Sequence, residues 1–208
     1  MRKRKITMLK ILGVLSLFFL VGCKNSEKQN IDYKTLPAYN AKKNLQAVIE
    51  IPAGSNQKIE YKKDTNRFVV DSINKQARVI DFLPYPGNYG FIPGTYSNPK
   101  NNGDGDALDV LVLSESLASG TLIEIKPIAM MRLLDEGEKD FKIIAVPLNK
   151  NLRTMQLDSF ENLSLKYPHV RKILHSWFEN YDKTDKLEIK GWTDGKTAEK
   201  LIQQALVN

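Results

Sequence analysis

The chain has 208 residues, a formal net charge of +7, two histidines and a single cysteine. That length suits one domain with a sizeable core, and the lone cysteine excludes an internal disulfide. Five of the 31 basic residues stand in positions 1–22 with no acid among them, so the remainder carries 26 basic residues against 24 acidic ones. The charge therefore does not point to nucleic acid, and no nucleic-acid partner is expected.

In chain order, residues 1–22 read as a signal peptide. Arg2, Lys3, Arg4, Lys5 and Lys10 precede the apolar run Ile11 to Val21, which falls short of the ~20 residues that span a bilayer. The run closes on Leu20-Val21-Gly22-Cys23, which resembles the lipobox of bacterial lipoproteins. The resemblance implies that Cys23 carries the lipid and becomes the new N-terminus. The expected location is then the cell envelope, as an exported, membrane-anchored lipoprotein. An ordinary signal peptide with an incidental thiol is the plainer alternative. Residues 23–44 are polar and read as a tether, with Tyr33 to Tyr39 able to dock on the domain expected over 45–208.

Leu45 to Ile51 is apolar, stops at Pro52 and predicts a strand. Lys58 to Lys62 and Phe68 to Asp71 predict short strands. Phe82 to Gly105, rich in Pro, Gly, Asn and Tyr, predicts an ordered loop. Leu108 to Leu113, Thr121 to Met130 and Ile143 to Pro147 complete the strands. The period then changes. Val170, Ile173, Leu174, Trp177, Phe178 and Tyr181 share one helical face, with Pro168 at its start. Ala198, Leu201, Ile202, Ala205 and Leu206 repeat that pattern. Strands followed by helices predict an α+β domain, a small closed barrel with two C-terminal helices packed outside.

The densest chemistry is Gly103-Asp104-Gly105-Asp106-Ala107-Leu108-Asp109-Val110, three carboxylates beside an apolar strand. Acids this close repel one another unless cations share them, and hard divalent cations take oxygen ligands. A second acidic group runs from Asp135 to Asp140. Glu50 stands inside the first apolar strand, an expensive place for an unpaired carboxylate, and Glu60 stands beside Lys58. Each cluster has a plainer explanation. Asp135 to Asp140 alone is a solvated hairpin. Asp104 to Asp109 alone is a calcium loop, although it lacks the EF-hand pattern and flanking helices. The two histidines, His169 and His175, adjoin no acidic cluster and are expected to be structural or exposed.

Gly-Asp-Gly-Asp-Ala-Leu-Asp-Val closely resembles the signature of the soluble family I inorganic pyrophosphatases. Tyr85-Pro86-Gly87-Asn88-Tyr89-Gly90-Phe91-Ile92-Pro93 is similar to that family's tyrosine loop, and so are Val48 to Pro52, Lys58 to Tyr61 and Asp135 to Pro147 to its other segments. The likeness runs from about Ala47 to Trp192. It implies an OB-like five-stranded barrel with helices and hydrolysis of pyrophosphate by metal-activated water. Asp104, Asp109 and Asp140 would hold the first metal, with Asp109 bridging to a second, and Asp106 would be the general base. Glu50, Glu60, Asp135 and Asp140 would hold metals that arrive with substrate. Lys58, Arg78, Tyr89, Lys142 and Tyr181 would bind phosphate, with Tyr85 standing behind them. Several Mg²⁺ ions are expected, with Mn²⁺ as a substitute, and a homo-oligomer is implied.

Two positions depart from the pattern. Asp182 stands where the family has lysine after Tyr181, with Lys183 one place late. The long stretch before Tyr85 leaves Arg67 as a rival to Arg78. Two rival functions remain: a lipid-anchored protein that captures a metal–phosphate complex without cleaving it, and a calcium-stabilised structural module.

Overall fold

The computed structural model describes residues 31–182 and 186–207. The expected signal segment, Cys23 and the first part of the expected tether fall in residues 1–30, outside the described residues, and Lys183 lies outside them too. Among the described residues no helix is long and apolar enough to cross a membrane.

The strands are β1 (Gln46–Ile51), β2 (Ile59–Lys62), β3 (Arg67–Val70), β4 (Ser72–Ile73), β5 (Gln76–Ala77), β6 (Asn88–Phe91), β7 (Asp109–Val112), β8 (Leu122–Asp135), β9 (Glu138–Lys139) and β10 (Lys142–Pro147). Helices α1 (Phe160–Leu165) and α2 (Pro168–Asn180) follow, then β11 (Leu187–Asp194) and α3 (Gly195–Ala205).

The barrel is a closed ring. β1 pairs with β6, β6 with β7, β7 with β10, β10 with β8, and β8 returns to β1. Every pair is antiparallel except β7–β10. Closure is possible because β8, at 14 residues, serves twice. Leu122 to Glu124 pair with β1, and Ala129 to Asp135 pair with β11. Closing the ring removes the unpaired edges that an open sheet would expose.

Alternation along the strands divides the apolar side chains into two clusters. Ile51, Leu111, Ile144 and Val146 pack with Leu163 of α1 and with Leu174, Trp177 and Phe178 of α2. Ile49, Val110, Val112, Ile143 and Ala145 pack with Ala198 and Ile202 of α3. Both faces of β10 are therefore covered, and all six of its residues are buried. That explains its continuous apolar run, which strands covered on one face do not show.

The expected closed barrel and C-terminal helices are present, with differences in detail. β6 lies inside the stretch expected to be loop. β11 runs between the helices, and α1, with six residues, is a third helix too short to show a period. Ile173, expected on the buried face of α2, is exposed. The expected tether packs from Tyr33 onward: Tyr33 Oη donates to Gly120 O at 2.8 Å, and its ring meets Phe68 edge-on at 5.0 Å.

One irregularity places a functional candidate. Ile49 pairs with Gly90 and Ile51 with Tyr89, so Glu50 is an extra residue in β1. Such a bulge bends the strand and re-aims a side chain. Here the strands approach so closely that a Cβ on Gly90 would stand 2.0 Å from Val48 O. Gly90→Ala is expected to cost on the order of 3 kcal/mol or more, because backbone must move. Urea unfolding checks this, and a midpoint within error of the parent would refute the close-approach account.

Candidate active site

One end of the barrel opens into a cleft of about 930 Å³. The lone parallel pair explains why charge gathers there. Ile143 is registered against Val110, so the starts of β7 and β10 lie at the same end, bringing Asp109 beside Lys142. The end of antiparallel β8 delivers Asp135 to the same mouth, and the β1 bulge adds Glu50. Lys58 and Glu60 come from the β2 region, and Asp104 and Asp106 from the loop before β7. Arg78, Tyr85, Tyr89, Asp140 and Tyr181 complete the set, so the cleft brings together all the acids expected to hold metal, the expected base Asp106 and the residues assigned to phosphate. Arg67 does not line it; Arg78 does.

The acidic loop is pinned on both sides. Ser97 N donates to Asp106 O at 2.7 Å, Gly105 N donates to Ser97 O at 2.8 Å, and Leu108 N donates to Thr95 Oγ1 at 3.0 Å. Within the loop Asp106 N donates to Asp104 Oδ1 at 3.1 Å, a short-range turn of the kind aspartate favours. Gly105 has φ +85°, the left-handed conformation that glycine adopts without strain. The Asp106 side chain is 76% exposed, with Lys63 Nζ 3.4 Å from Oδ1.

Behind the loop the side chains are mostly buried. Lys142, 3% exposed at the side chain, lies 2.6 Å from Asp109 Oδ2 and 2.5 Å from Asp140 Oδ1. Tyr89 Oη donates to the same Asp109 oxygen at 2.5 Å. Burial alone would lower the lysine pKa, but Asp109 and Asp140 outweigh it and hold the ammonium above its ordinary range. Burial pushes Asp140 up to about 6 against the pull of Lys142. It pushes Glu50 further, to about 8, although Tyr61 N donates to its Oε1 at 2.7 Å. Asp104 is raised by burial as well.

Aromatic rings form one wall. Tyr181 lies flat on Trp177 at 4.7 Å, and Tyr85 touches Trp177 at 4.7 Å and Tyr89 at 5.4 Å. Burial raises Tyr85, Tyr89 and Tyr181, the last to about 12. All three phenols therefore keep their protons at neutral pH and remain donors. The histidines stand away from the cleft, with Trp192 Nε1 donating to His175 Nδ1 at 3.3 Å.

Three contacts were not visible in the sequence. Asp182 pairs with Arg78, Nη2 to Oδ2, at 2.7 Å. Lys62 Nζ lies 2.7 Å from Glu60. Lys63, in the β2–β3 turn, reaches Asp106. The Arg78–Asp182 pair spans 104 positions, and no local pattern signals a contact at that range.

The donors suit divalent cations. All are oxygens, as Mg²⁺ and Ca²⁺ require, and burial raises Glu50, Asp140 and Asp104, a desolvation that a bound cation would offset. Among the described residues no three acids form a ready-made cage around one point, and Lys142 lies between Asp109 and Asp140. Cations would be shared across the cleft, with acid side chains adjusting.

A barrel mouth that interleaves acids with lysine, arginine and tyrosine is suited to a small polyanion and its cations. The family model described as Inorganic pyrophosphatase matches residues 47–208. The chain is 36% identical over 181 residues to the inorganic pyrophosphatase of Sulfolobus acidocaldarius, covering 83% of this chain and 95% of that one. It is 38% identical over 178 residues to that of Saccharolobus solfataricus, covering 82% and 94%. The crystal structure of inorganic pyrophosphatase from Thermus thermophilus superposes with a TM-score of 0.69 at 30% identity, over 84% of this chain and 97% of that one. The chain belongs to the family I inorganic pyrophosphatases, a metal-dependent family.

The Glu50 shift has a testable sign. In the metal-free chain its carboxyl rises from 4.5 to about 8 on folding, so the folded state holds the proton more tightly. That contribution to stability is complete below pH 4.5 and is lost as pH rises to about 8, with a slope of up to ~1.4 kcal/mol per pH unit. Glu50→Gln is expected to remove this slope. Urea unfolding across that range, with chelator present, reads it directly, and a difference between parent and variant that is flat with pH counts against burial as the cause.

Proposed function

We propose that this chain hydrolyses inorganic pyrophosphate to two phosphates with Mg²⁺, Asp106 acting as general base. The observation that carries the reading is the convergence of the nominated acids, cations and phenols on one cleft in a chain of this family. Pyrophosphate is a small polyanion that repels an anionic nucleophile, so the site must lower negative charge and position a water together. Lys58, Arg78 and Lys142 meet phosphate oxygens with positive charge, and Tyr89 and Tyr181 donate hydrogen bonds to them. Tyr85 packs behind and fixes the ring of Tyr89. Asp106 suits the role of base because its carboxylate faces solvent and is not held by a buried cation. It accepts a proton as the water oxygen bonds to one phosphorus and the bridging P–O bond breaks. The electron pair stays on the leaving phosphate, where the cations stabilise it.

Asp104, Asp109, Asp140, Glu50, Glu60 and Asp135 would hold the metals. Bound Mg²⁺, or Mn²⁺ in its place, supplies charge neutralisation and a lowered water pKa. The capture-only alternative and the calcium module gain nothing from the relatives, which bear the enzyme's name.

The location belongs to the same proposal. The basic start and Leu20-Val21-Gly22-Cys23 support export and a lipid anchor on Cys23, since acyl chains add ~0.8 kcal/mol of membrane affinity per buried methylene. A homo-oligomer rests on the family resemblance.

The purified full-length chain is expected to release phosphate from pyrophosphate with Mg²⁺. Asp106→Asn should lower kcat on the order of 10²-fold to 10⁴-fold while the protein stays folded. Absence of release by folded parent, with Mg²⁺ and with Mn²⁺, would sink the reaction and favour capture. For the anchor, cells fed an alkyne fatty acid should label the parent chain and not Cys23→Ser. Equal labelling of both, or of neither, would refute lipidation at Cys23.

A further inference from the structure

Arg78 meets carboxylates before any substrate arrives. Its Nη2 lies 2.7 Å from Asp182 Oδ2, and its Nη1 lies 3.8 Å from Asp71 Oδ2. The side chains are mostly covered, 22% exposed for Arg78 and 10% for Asp182. Screening by solvent is therefore weaker than for a surface pair.

The position of Asp182 is set firmly. It follows Tyr181, whose ring is stacked on Trp177, and Trp177 Nε1 donates to Leu83 O at 2.8 Å. It also stands just past the C-terminus of α2, where the negative end of the helix dipole disfavours an anion. A nearly desolvated carboxylate at such a place has strong need of a cation. Arg78 is fixed from its own side, since Arg78 N donates to Asp71 O at 2.7 Å and Lys58 N donates to Arg78 O at 3.0 Å.

We propose that Asp182 is a positioning residue that competes with phosphate for Arg78, weakening the hold on pyrophosphate and easing release of product phosphate. This rests on the reading of Arg78 as a phosphate-binding arm. A guanidinium has five N–H donors, so Arg78 can keep Asp182 on Nη2 and offer its remaining donors to a phosphate. The fixed negative charge beside it then repels the phosphate oxygens. Withdrawing Arg78 from Asp182 instead would leave a covered carboxylate with less counter-charge. Either course lowers phosphate affinity at this end of the cleft.

The test uses the full-length chain with Asp182→Asn, nearly the same in shape but without the charge. The Michaelis constant for pyrophosphate and the inhibition constant for phosphate are expected to fall together, by about threefold to tenfold, as for a partly screened charge pair. The turnover number should not rise. Asp182→Glu, which keeps the charge, should return both constants toward the parent values. Asp182→Ser removes the same charge by a different shape and carries the same expectation if the asparagine variant fails to fold. In an Arg78→Ala background, Asp182→Asn should move both constants by less than it does in the parent, because the competition for Arg78 is gone. If Arg78→Ala raises the Michaelis constant but Asp182→Asn leaves both constants unmoved or higher, the inference is overturned and the role of Arg78 stands. If Arg78→Ala leaves the Michaelis constant unchanged, the reading of Arg78 itself is overturned. A lower melting temperature in Asp182→Asn with an unchanged inhibition constant would mean a structural pair only, and would overturn the inference too.

Discussion

The ammonium of Lys142, held between Asp109 and Asp140, is the contact on which the site depends. It is buried at the start of a strand whose remaining residues are all apolar. An unpaired ammonium there would be costly to desolvate, and so would either carboxylate. Together they offset one another, with Tyr89 donating to the same oxygen of Asp109. The barrel arranges this through its one parallel pair, which sets the first residues of β7 and β10 side by side. An antiparallel pair would have put one of these residues at the far end of the barrel. Topology thus decides that acid and base meet at one mouth.

The rest of the cleft follows from how its residues are desolvated. On the aromatic side, burial acts on phenols and keeps them neutral, so that they serve as hydrogen-bond donors without adding charge. Among the acids, burial raises Glu50, Asp140 and Asp104 toward the protonated form. Glu50 is the extreme case, because a bulge turns it toward the cleft from a strand whose other residues are buried. One physical effect thus acts on both kinds of group within the same cleft.

Much of this was legible in the sequence, for identifiable reasons. β10 reads as an apolar run because both its faces are covered, and α2 announces itself by helical spacing from Leu174 to Phe178. β6 was not legible: Asn88 and Gly90 carry turn chemistry, yet Gly90 is there because β1 passes too close for a side chain. β11 was hidden by Lys190 and Gly191, where its register against β8 shifts between Ile189 and Trp192. The candidate residues that line the cleft were legible through the family's motifs, which sit in short contiguous segments. Their partners were not. Lys142 and Asp109 are 33 positions apart, and Arg78 and Asp182 are 104 apart; such pairs are made by the fold.

Proton binding and cation binding draw on the same oxygens in this cleft. With its carboxyl near 8, Glu50 retains a proton at neutral pH in the metal-free chain, and a cation that takes this oxygen must displace it. Asp140, near 6, is mostly ionised under the same conditions but already faces Lys142. A cation held by these acids would meet one carboxylate that carries a proton and another that faces an ammonium. Phosphate oxygens could serve Lys142 as a replacement partner. The lysine can exchange one anionic partner for another while remaining charged, whereas Glu50 must give up its proton. On the proposed roles, a cation on the acids and a phosphate on Lys142 would each offset the charge that the other leaves exposed.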